Sequence, residues 1–502
     1  MTTFQYNAAY PGSGKTEAAL RYAIALCGRY QHKALFILPT IALIKEQAHR
    51  AAGISADLGW DNVAINTIFS EKDAASVKRR LINHLETTPH DEPELLFITL
   101  RSFLEMTPWP NPQVWRHVFV DEAFNPFEDH SIQLVENFRV LMDRLELVDP
   151  AGEFSLLRPR HGAGVRDSVN DPLKRGDAVN ALLHPIMARV LNPNFSVYAD
   201  IESWKAVAAG QADETDPRIF IYSEINASAF EGFENVTFMG AWLQNHAFFR
   251  QWRREGHYFQ EYRKLTGYIR HRSWDRSCDT ILYLTERHWT RTYAGKPLDD
   301  GRTPLEHMHE FLTQQLDGID FGWTKNARQK IDYAEGVKIP PRAAGLNGYS
   351  DLPALVWHAS LLPHPAMWRF LSWRGMSDDE VRMEFYWLPL AQFMTRGADR
   401  RPEYEGKMIK VVPDLPAAEF LRGLFRSELQ RVGTIPVEEQ GLKHSGKAGR
   451  PKGHPNRGGR PKSAMTDAQR RERRNQYERE RYAVRSGQPS SETSETRRLL
   501  HK

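Results

Sequence analysis

Short apolar runs alternate with stretches of helical spacing over the first part of the chain. The apolar runs predict β-strands at Thr3–Ala9, Lys33–Leu38, Asn62–Ile68, Leu95–Thr99 and His117–Val120. Apolar residues at helical spacing predict the helices between them, at Glu17–Cys27, Ile41–Arg50, Ala74–Glu86 and around Phe103. Because strands alternate with helices, the pattern predicts an α/β domain, with a parallel sheet covered by helices on both faces.

The pattern loosens after Asp149 and returns as a second α/β region. We interpret the stretch of about 150–217, where small and polar residues dominate, as an insertion that forms a surface excursion. Further strands are predicted at Arg218–Ser223, Asn235–Met239, Thr280–Leu284, Ile319–Thr324 and Ala354–His358, and a helix at Trp242–Leu265. The predicted organisation is therefore a first domain at 1–270 that contains the insertion, a second α/β domain at 271–435 and a tail at 436–502.

A glycine-rich turn lies between the first predicted strand and the first predicted helix. A strand, a glycine turn and a helix N-terminus together form a phosphate cradle, because backbone N–H groups converge there and the helix dipole favours negative charge. We predict that ATP phosphates are bound by Pro11, Gly12, Ser13, Gly14, Lys15 and Thr16. The Lys15 ammonium would reach the β- and γ-phosphates, and the Thr16 hydroxyl would be a ligand of Mg²⁺. The alternative is a glycine turn ahead of an ordinary helix.

Two acidic residues follow the apolar run His117–Val120. Asp121 and Glu122 would lie at the carboxyl end of a buried strand, which is where open α/β sheets bind ligands. Paired with the glycine turn, Asp121 is predicted to hold Mg²⁺ and Glu122 to orient and deprotonate the attacking water. A solvated acidic turn is the alternative interpretation.

Composition narrows the class of protein without identifying it. The chain has 502 residues, of which 41% are hydrophobic, so globular folding in more than one domain is expected. We find no apolar run near the ~18 residues that a membrane span requires. The polar N-terminus predicts no signal peptide, and the two cysteines predict neither disulfides nor a zinc site. We therefore expect a soluble intracellular protein with no membrane partner.

Positive charge is concentrated near the C-terminus. The stretch from Gly441 to Arg485 holds 14 Lys/Arg and 4 Asp/Glu, although the whole chain has a net charge of only +4. Its composition predicts a largely disordered segment with one helix, Ala468–Arg485. Such a tail on a mildly acidic body indicates a nucleic-acid partner.

Several segments resemble the motifs of superfamily-2 helicases, the DEAD/DEAH-like enzymes, and they follow one another along the chain in the order of those motifs. The resembling segments are Ala9–Thr16 for motif I, Pro39-Thr40 with Leu43 and Gln47 for Ia, Thr99 for Ib/Ic, Asp121–Phe124 for II, Ala344–Tyr349 for V and Gln392–Arg400 for VI. Phe124 stands where the family has Asp or His, so the chain is neither a strict DEAD-box nor a strict DEAH-box sequence. In motif VI the second arginine stands eight residues after Gln392 rather than seven.

The resemblance implies two RecA-like P-loop domains that use ATP and Mg²⁺. Gln392, Arg396 and Arg400 would complete the catalytic site from the second domain, and on a helix Arg396 and Arg400 would share one face. The residues implied in nucleic-acid contact are Pro39, Thr40, Thr99 and Arg101 in the first domain and Asn347 and Tyr349 in the second. In the tail, Arg450 and Arg460 each lie in a Gly-Arg-Pro-Lys stretch that resembles the centre of an AT-hook, although a generic basic linker fits the same stretch.

The sequence therefore predicts an ATP-dependent nucleic-acid helicase or translocase. The expected partner is DNA, single-stranded or duplex, with RNA as an alternative, and replication or recombination proteins are expected partners as well. Together with the compact build and the basic tail, the resemblance implies a phage or mobile-element enzyme in the cytoplasm of a bacterium or a phage-infected host cell. Two other functions fit parts of the sequence: a DNA-packaging ATPase motor, and a DNA-binding ATPase switch without unwinding activity.

Overall fold

The computed structural model describes residues 3–70, 76–133, 139–162, 164–170, 178–209, 218–269, 276–327, 329–342, 348–401 and 403–432. The predictions for Asn347, Arg450, Arg460 and the tail helix lie outside these residues. No helix in the described part of the chain has the length and apolarity that crossing a bilayer requires.

The strands are numbered in chain order. They are β1 Thr3–Asn7, β2 Lys33–Leu38, β3 Ala64–Ile68, β4 Glu94–Thr99, β5 Trp115–Asp121, β6 Phe127–Asp129, β7 Ile132–Gln133, β8 Leu145–Leu147, β9 Phe154–Pro159, β10 Phe195–Asp200, β11 Arg218–Ile219, β12 Ile221–Ile225, β13 Asn235–Met239, β14 Tyr258–Glu261, β15 Thr280–Thr285, β16 Phe321–Thr324, β17 Val337–Lys338, β18 Ala354–Trp357, β19 Ile409–Asp414 and β20 Glu428–Arg431.

The α-helices are numbered in the same way. They are α1 Lys15–Tyr30, α2 Ile41–Leu58, α3 Val77–Thr87, α4 Leu100–Glu105, α5 Arg139–Arg144, α6 Val165–Asn170, α7 Ala178–Leu191, α8 Ile201–Ala208, α9 Ala247–Arg254, α10 Arg291–Ala294, α11 Pro304–Gln315, α12 Pro365–Trp373, α13 Asp378–Arg382, α14 Leu388–Met394 and α15 Leu415–Phe425.

The first half of the chain forms a seven-stranded sheet in the order β14-β1-β13-β5-β2-β4-β3. All its strand pairs are parallel. Every residue of β2 is buried, as expected for a central strand that has helices on both faces. On one face, Leu20 and Ile24 of α1 belong to one core with Phe36 of β2, and on the other, Trp252 of α9 belongs to a second core with Phe238 of β13. The predicted parallel α/β sheet is confirmed.

The part of the chain between β5 and β13 forms a second sheet. Its strands run in the order β6-β12-β10-β9-β8, and the pairs are antiparallel. This segment, which we call the antiparallel module, spans 127–225 and therefore extends beyond the predicted insertion on both sides. The interpretation of the segment as a surface excursion was wrong, because Val197, Ile221 and Leu183 are buried in the same hydrophobic cluster as the first sheet. The strand predicted at Arg218–Ser223 forms as β11 and β12 but belongs to the small sheets of the module.

The predicted helix at Trp242–Leu265 was also wrong. Helix α9 ends at Arg254, and Gly256 then has a φ of +93°, a left-handed conformation that glycine adopts without a steric penalty. The chain continues as β14, which pairs with β1 along Thr3–Tyr6. Pairing with a sheet edge thus prevailed over the local helical spacing.

The second half forms a six-stranded sheet in the order β17-β16-β18-β19-β15-β20. Its pairs are parallel throughout, so the predicted second α/β region is confirmed as a second parallel sheet. The predicted boundary near 270 falls between β14 and β15 and stays a prediction.

The antiparallel module contacts the helices of the second half. Phe370 of α12 is fully buried and stacks on Tyr222 of β12, with ring centroids 4.7 Å apart and an interplanar angle of 19°. Arg374, just after α12, pairs with Glu224 of β12 at 2.8 Å. An apolar core edged by ion pairs therefore joins the module to the second sheet's helices.

Candidate nucleotide site

The turn after β1 has the backbone conformation of a phosphate cradle. Gly12 and Gly14 have φ values of +74° and +79°, a region that side chains with a Cβ rarely adopt. Gly14 is the N-cap of α1 and Lys15 is its first residue, so the helix begins directly at the turn. The free N–H groups and the positive end of the helix dipole therefore lie at this turn.

Lys15 is held inside the turn. Its Nζ donates hydrogen bonds to the backbone carbonyls of Ala9 at 2.8 Å and Tyr10 at 2.9 Å. Burial lowers the pKa of the Lys15 ammonium to about 8, against the attraction of Glu122 and Asp121. The ammonium is thus a desolvated positive charge, which a bound phosphate would stabilise, and the two carboxylates beside it supply part of that stabilisation in the free protein.

Thr16 and Asp121 meet where α1 begins and β5 ends. The Thr16 hydroxyl donates a hydrogen bond of 2.8 Å to Oδ2 of Asp121. Burial, and then repulsion from Glu122, raise the pKa of the Asp121 carboxyl above its ordinary value, although the Thr16 hydrogen bond opposes them. A hydroxyl and a carboxylate are hard oxygen donors of the kind that Mg²⁺ prefers, so the donor set fits the predicted metal.

Glu122 follows Asp121 in a strained backbone conformation. Its φ is +73°, which is uncommon for a residue with a Cβ and is frequent at functional sites. The segment after β13 packs against this turn, because β13 lies between β1 and β5. A Cβ on Gly240 would lie 2.8 Å from Leu243 Cδ1 and 3.1 Å from the Ala123 backbone nitrogen, so a larger residue here would force these groups to shift.

Phe124 belongs to the core under the acidic turn. Its ring stacks on Phe248 of α9, with centroids 4.6 Å apart and an interplanar angle of 16°, and it also contacts Phe230 and Trp252. The residue that departs from the DEAD and DEAH patterns is therefore part of an aromatic cluster. The same cluster contains the α9 aromatics, so their helical spacing reflected core packing.

One cavity of about 760 Å³ brings most of the predicted catalytic and phosphate-binding residues together. Its size lies within the ~300–1,000 Å³ range of small-ligand sites. The predicted residues that line it are Pro11, Gly12, Gly14, Lys15, Thr16, Asp121, Glu122, Gln392, Arg396 and Arg400. Ser13 is not among them, and its side chain is fully buried.

Arg396 and Arg400 reach this cavity without the predicted helix. Helix α14 ends at Met394, and Arg400 ends a separate 3₁₀ turn, Ala398–Arg400. Gly397, between the helix and this turn, has an extended backbone, and a Cβ there would lie 2.9 Å from the Leu352 carbonyl oxygen and 2.3 Å from the Met408 side chain. The shared helical face was therefore the wrong reason for placing the two arginines together.

Arg396 is 5% exposed, and Arg400 is half-buried. Burial, followed by repulsion from Arg400, lowers the pKa of Arg396 to about 10, so it remains charged at neutral pH. Burial also lowers the pKa of Arg400, against the attraction of Glu122. Two desolvated cations from the second half therefore face the cavity that holds the phosphate cradle.

Helices α1 and α2 contribute lining residues that were not assigned to the nucleotide from the sequence. They are Glu17, Arg21, Leu43, Glu46, Gln47, Arg50, Gly53, Ile54 and Asp57. Gln47 was predicted only as part of motif Ia, yet it is 3% exposed and its Oε1 accepts no hydrogen bond from any described residue. The i,i+4 spacing of Glu46 and Arg50 was a weak signal for one face of α2.

The predicted nucleic-acid residues of the first half lie at the carboxyl ends of neighbouring strands. Leu38 of β2 pairs with Thr99, the last residue of β4, and Thr40 lies two residues after Leu38, so the two threonines lie at adjacent strand ends. Both threonines are N-caps, with Oγ1 accepting from Leu43 N at 3.3 Å and from Ser102 N at 3.1 Å. Their contact with nucleic acid stays a prediction.

The remaining predicted contacts are placed differently. Pro39 and Arg101 are exposed, and Arg101 pairs with Glu105 at 2.8 Å. Tyr349 packs against the core of the second half.

Residues 7–142 match the family model described as DEAD/DEAH box helicase. The matched segment contains the phosphate cradle, the Thr16–Asp121 pair and Glu122. The resemblance drawn from the sequence is therefore confirmed for a DEAD/DEAH box helicase domain in this segment. No curated protein matches the sequence.

Several solved structures align with most of this chain at low sequence identity. S. tokodaii Xpd4 is 12% identical, with a TM-score of 0.46 and an alignment that covers 86% of this chain and 96% of that chain. S. cerevisiae Dbp5 bound to RNA and ADP BeF3 is 10% identical, with a TM-score of 0.37 and coverage of 86% and 85%. The DUF1998 helicase MrfA bound to DNA is 9% identical, with a TM-score of 0.34 and coverage of 86% and 48%. At these values the fold assignment rests on the strand order above.

Proposed function

We propose that this protein is an ATP-dependent nucleic-acid helicase or translocase that acts on DNA in replication or recombination. The observation that carries the proposal is the single cavity lined by Lys15, Thr16 and Asp121 of the first half and by Arg396 and Arg400 of the second. A phosphate cradle with arginines facing it across a cleft is the arrangement that phosphoryl transfer from a nucleotide requires.

Each group has a part in ATP hydrolysis. The cradle and Lys15 bind the phosphates, and Thr16 with Asp121 would hold Mg²⁺, which neutralises charge on the phosphates when bound. Glu122 orients and deprotonates the attacking water. Arg396 and Arg400 stabilise the charge of the transferring phosphoryl group, with Gln392 beside them in the cavity. Such an arginine contributes a factor of ~10³–10⁵ in rate, or roughly 4–7 kcal/mol of barrier.

Hydrolysis would be coupled to movement because the site is divided between the two halves. A change in how closely the arginines approach the cradle would move Thr40 and Thr99 of the first half relative to the second half. We assign Thr40 and Thr99, with Pro39 and Arg101, to one grip on nucleic acid, and by resemblance Asn347 and Tyr349 to the other. The basic stretch that contains Arg450 and Arg460 would add a second contact to DNA, since Lys and Arg gain affinity by neutralising phosphates. A phage or mobile-element enzyme of the cytoplasm fits this build.

The test is an ATPase assay of the full chain without polymer and with single-stranded DNA, duplex DNA or RNA, combined with strand displacement. The expected result is DNA-stimulated hydrolysis and ATP-dependent unwinding or translocation. Glu122→Gln should bind ATP without turnover, whereas Glu17→Gln, which removes another carboxylate from the cavity lining, should retain turnover. Hydrolysis without unwinding or translocation would favour a switch, and translocation on duplex without strand separation would favour a packaging motor. A wild-type protein that binds no nucleotide would refute the proposal.

A further inference from the structure

In the turn that carries Arg400, two consecutive side chains lie in different places, one in the nucleotide cavity and one buried inside the second half. Arg400 lines the cavity, whereas Asp399, the preceding residue, is 7% exposed. The spacing of eight residues from Gln392 to Arg400 is accommodated by the 3₁₀ turn Ala398–Arg400. A rotation of this short turn would move both side chains together.

Asp399 is fixed by a buried lysine of the second sheet. Lys410 of β19 is fully buried, and its Nζ donates to Oδ2 of Asp399 at 2.8 Å and to Oδ2 of Asp279 at 2.8 Å. Asp279 is also bound by Arg276 at 2.8 Å. Two acids and two cations therefore compensate one another inside the second half, which is the condition for burying charge at tolerable cost.

Backbone contacts fix the start of the same turn. The Ala398 N–H donates to the Leu352 carbonyl at 2.9 Å, and Gly397 packs closely against Leu352 and Met408. The Arg400 N–H donates to the Gly397 carbonyl at 3.0 Å. The backbone thus anchors the base of the turn, and the Asp399 carboxylate ties its far end to β19.

We propose that Asp399, through its ion pair with Lys410, is a positioning residue that holds the Arg400 guanidinium toward the phosphates in the cavity. This inference rests on the proposed ATP hydrolysis. Asp399 itself does not line the cavity, so it acts through Arg400. A displaced guanidinium would no longer stabilise the transition state, while nucleotide binding by the cradle continued, because small misplacements cost rate more than affinity.

The principal variant is Asp399→Asn, which keeps the shape of the side chain and leaves Lys410 paired with Asp279. We expect kcat to fall about tenfold to a hundredfold, with the Kd for ATP changed less than about twofold. Asp279→Asn is the matched control, because it removes the other carboxylate bound to Lys410 but lies outside the turn. It should lower the melting temperature and leave kcat within about twofold. Equal kcat values for the two variants would refute the positioning role.

A double-mutant cycle tests whether Asp399 acts through Arg400. In an Arg400→Ala background, Asp399→Asn should cause no further loss of kcat, because the group that it positions is gone. A full further loss would contradict the proposal. If Asp399→Asn folds poorly, Asp399→Asn with Lys410→Met removes both charges of the pair, and this variant should also lose kcat about tenfold or more. A wild-type kcat in that variant would overturn the inference.

A measurement without turnover separates this inference from the proposed function. In wild-type protein, Mg·ADP·AlF₄ should raise the melting temperature more than Mg·ADP does, because the former mimics the phosphoryl group in its transition state, where Arg400 is expected to act. Asp399→Asn should reduce this difference and keep the shift with ADP. An unchanged difference refutes the positioning role alone, whereas no shift of the wild-type protein with either nucleotide refutes the proposed function as well.

Discussion

The hydroxyl of Thr16 donates a 2.8 Å hydrogen bond to Oδ2 of Asp121, a residue 105 positions further along the chain. The two residues meet because α1 begins after the glycine turn that follows β1, while Asp121 ends β5, and only β13 lies between these two parallel strands. The parallel sheet therefore brings together the two oxygen groups that we assign to Mg²⁺.

Replacing Asp121 with Asn should separate metal binding from folding. The amide oxygen can still accept the Thr16 hydrogen bond, but the negative charge is removed, so we expect ATP hydrolysis to fall by at least about a hundredfold. The Mg²⁺ concentration that gives half-maximal activity should rise in the remaining turnover. Asp57→Asn removes another carboxylate that lines the cavity and should leave this Mg²⁺ dependence unchanged. An Asp121→Asn protein with the wild-type Mg²⁺ dependence would contradict the metal assignment.

Arg396→Ala should reduce turnover much more than nucleotide binding. The buried guanidinium faces the cradle from the second half and is expected to act mainly on the transition state, so kcat should fall roughly 10³-fold or more. Arg401→Ala is the control, since Arg401 pairs with Asp351 at 3.1 Å and does not line the cavity. Single-turnover hydrolysis and nucleotide titration measure the two effects separately. A loss confined to affinity would show that Arg396 only binds the ground state.

Elements with strong local signals could be predicted from the sequence. The strand Lys33–Leu38 is found with the predicted bounds, because an uninterrupted apolar run can be satisfied only at the centre of a covered sheet. The cradle was predictable because its glycines, Lys15 and Thr16 act within one turn. The meeting of Thr16 with Asp121 was predictable because Asp121 ends a buried strand.

Features that depend on distant contacts could not be predicted in this way. The stretch after α9 has helical spacing, but its pairing with β1 is visible only in the folded sheet. The turn that carries Arg400 is held by Leu352 and Lys410, and neither can be inferred from the residues near Arg400. The antiparallel module was missed because its short strands are separated by polar loops, which resemble an insertion in sequence.

Glu380 should stabilise the fold at neutral pH and lose this effect in acid. Its Oε1 accepts hydrogen bonds from the guanidinium groups of Arg250 and Arg254 on α9. Its Oε2 accepts a hydrogen bond from the Ser377 backbone N–H. Burial alone would raise the pKa of the Glu380 carboxyl, but these hydrogen bonds outweigh it and lower the pKa to about 2. A carboxyl whose pKa is lowered by folding stabilises the folded state at pH values above its pKa in the unfolded chain. This stabilisation is lost as the pH falls toward 2.

Glu380→Gln should therefore lower the free energy of unfolding at pH 7 by on the order of 1 kcal/mol, allowing for solvent screening of this partly exposed group. The difference from wild type should shrink as pH falls below about 4.5. Urea unfolding at several pH values measures it, with Asp379→Asn as a control on the same helix. Asp379 pairs with Arg382 within one turn and is exposed, so its replacement should have little effect. A difference that grows on acidification would refute the assignment.

Phe370→Ala should destabilise the packing between the antiparallel module and the second half. The ring is fully buried and packs on Tyr222, Phe127 and Phe154. Its removal should leave a cavity and cost roughly 3–5 kcal/mol. Trp373→Ala, on the same helix but 41% exposed, should cost less. Denaturant unfolding of both variants compares them, and an equal or smaller loss for Phe370→Ala would show that the module does not support the second half.

Deletion of Gly441–Lys502 should weaken DNA binding while basal ATP hydrolysis survives. The deletion removes the basic stretch and none of the residues that line the nucleotide cavity. For every phosphate that the tail neutralises, its removal should flatten the slope of log K against log[salt] by about 0.9 on duplex DNA. The 14 basic and 4 acidic residues of Gly441–Arg485 limit the net change to fewer than about ten phosphates. An unchanged affinity and salt slope would show that the tail binds another partner.

Replacement of Arg450 and Arg460 by Ala in the same tail distinguishes minor-groove recognition from general attraction. If the two Gly-Arg-Pro-Lys stretches act as minor-groove hooks, the double variant should lose more affinity for A·T-rich than for G·C-rich duplex, because narrow A·T grooves concentrate the negative potential that attracts arginine. Lys443→Ala with Lys447→Ala is a matched control, since it removes two charges of the same basic stretch outside both Gly-Arg-Pro-Lys stretches. It should weaken binding to both duplexes equally. Equal losses for both double variants on both duplexes would reduce the tail to a non-specific electrostatic tether.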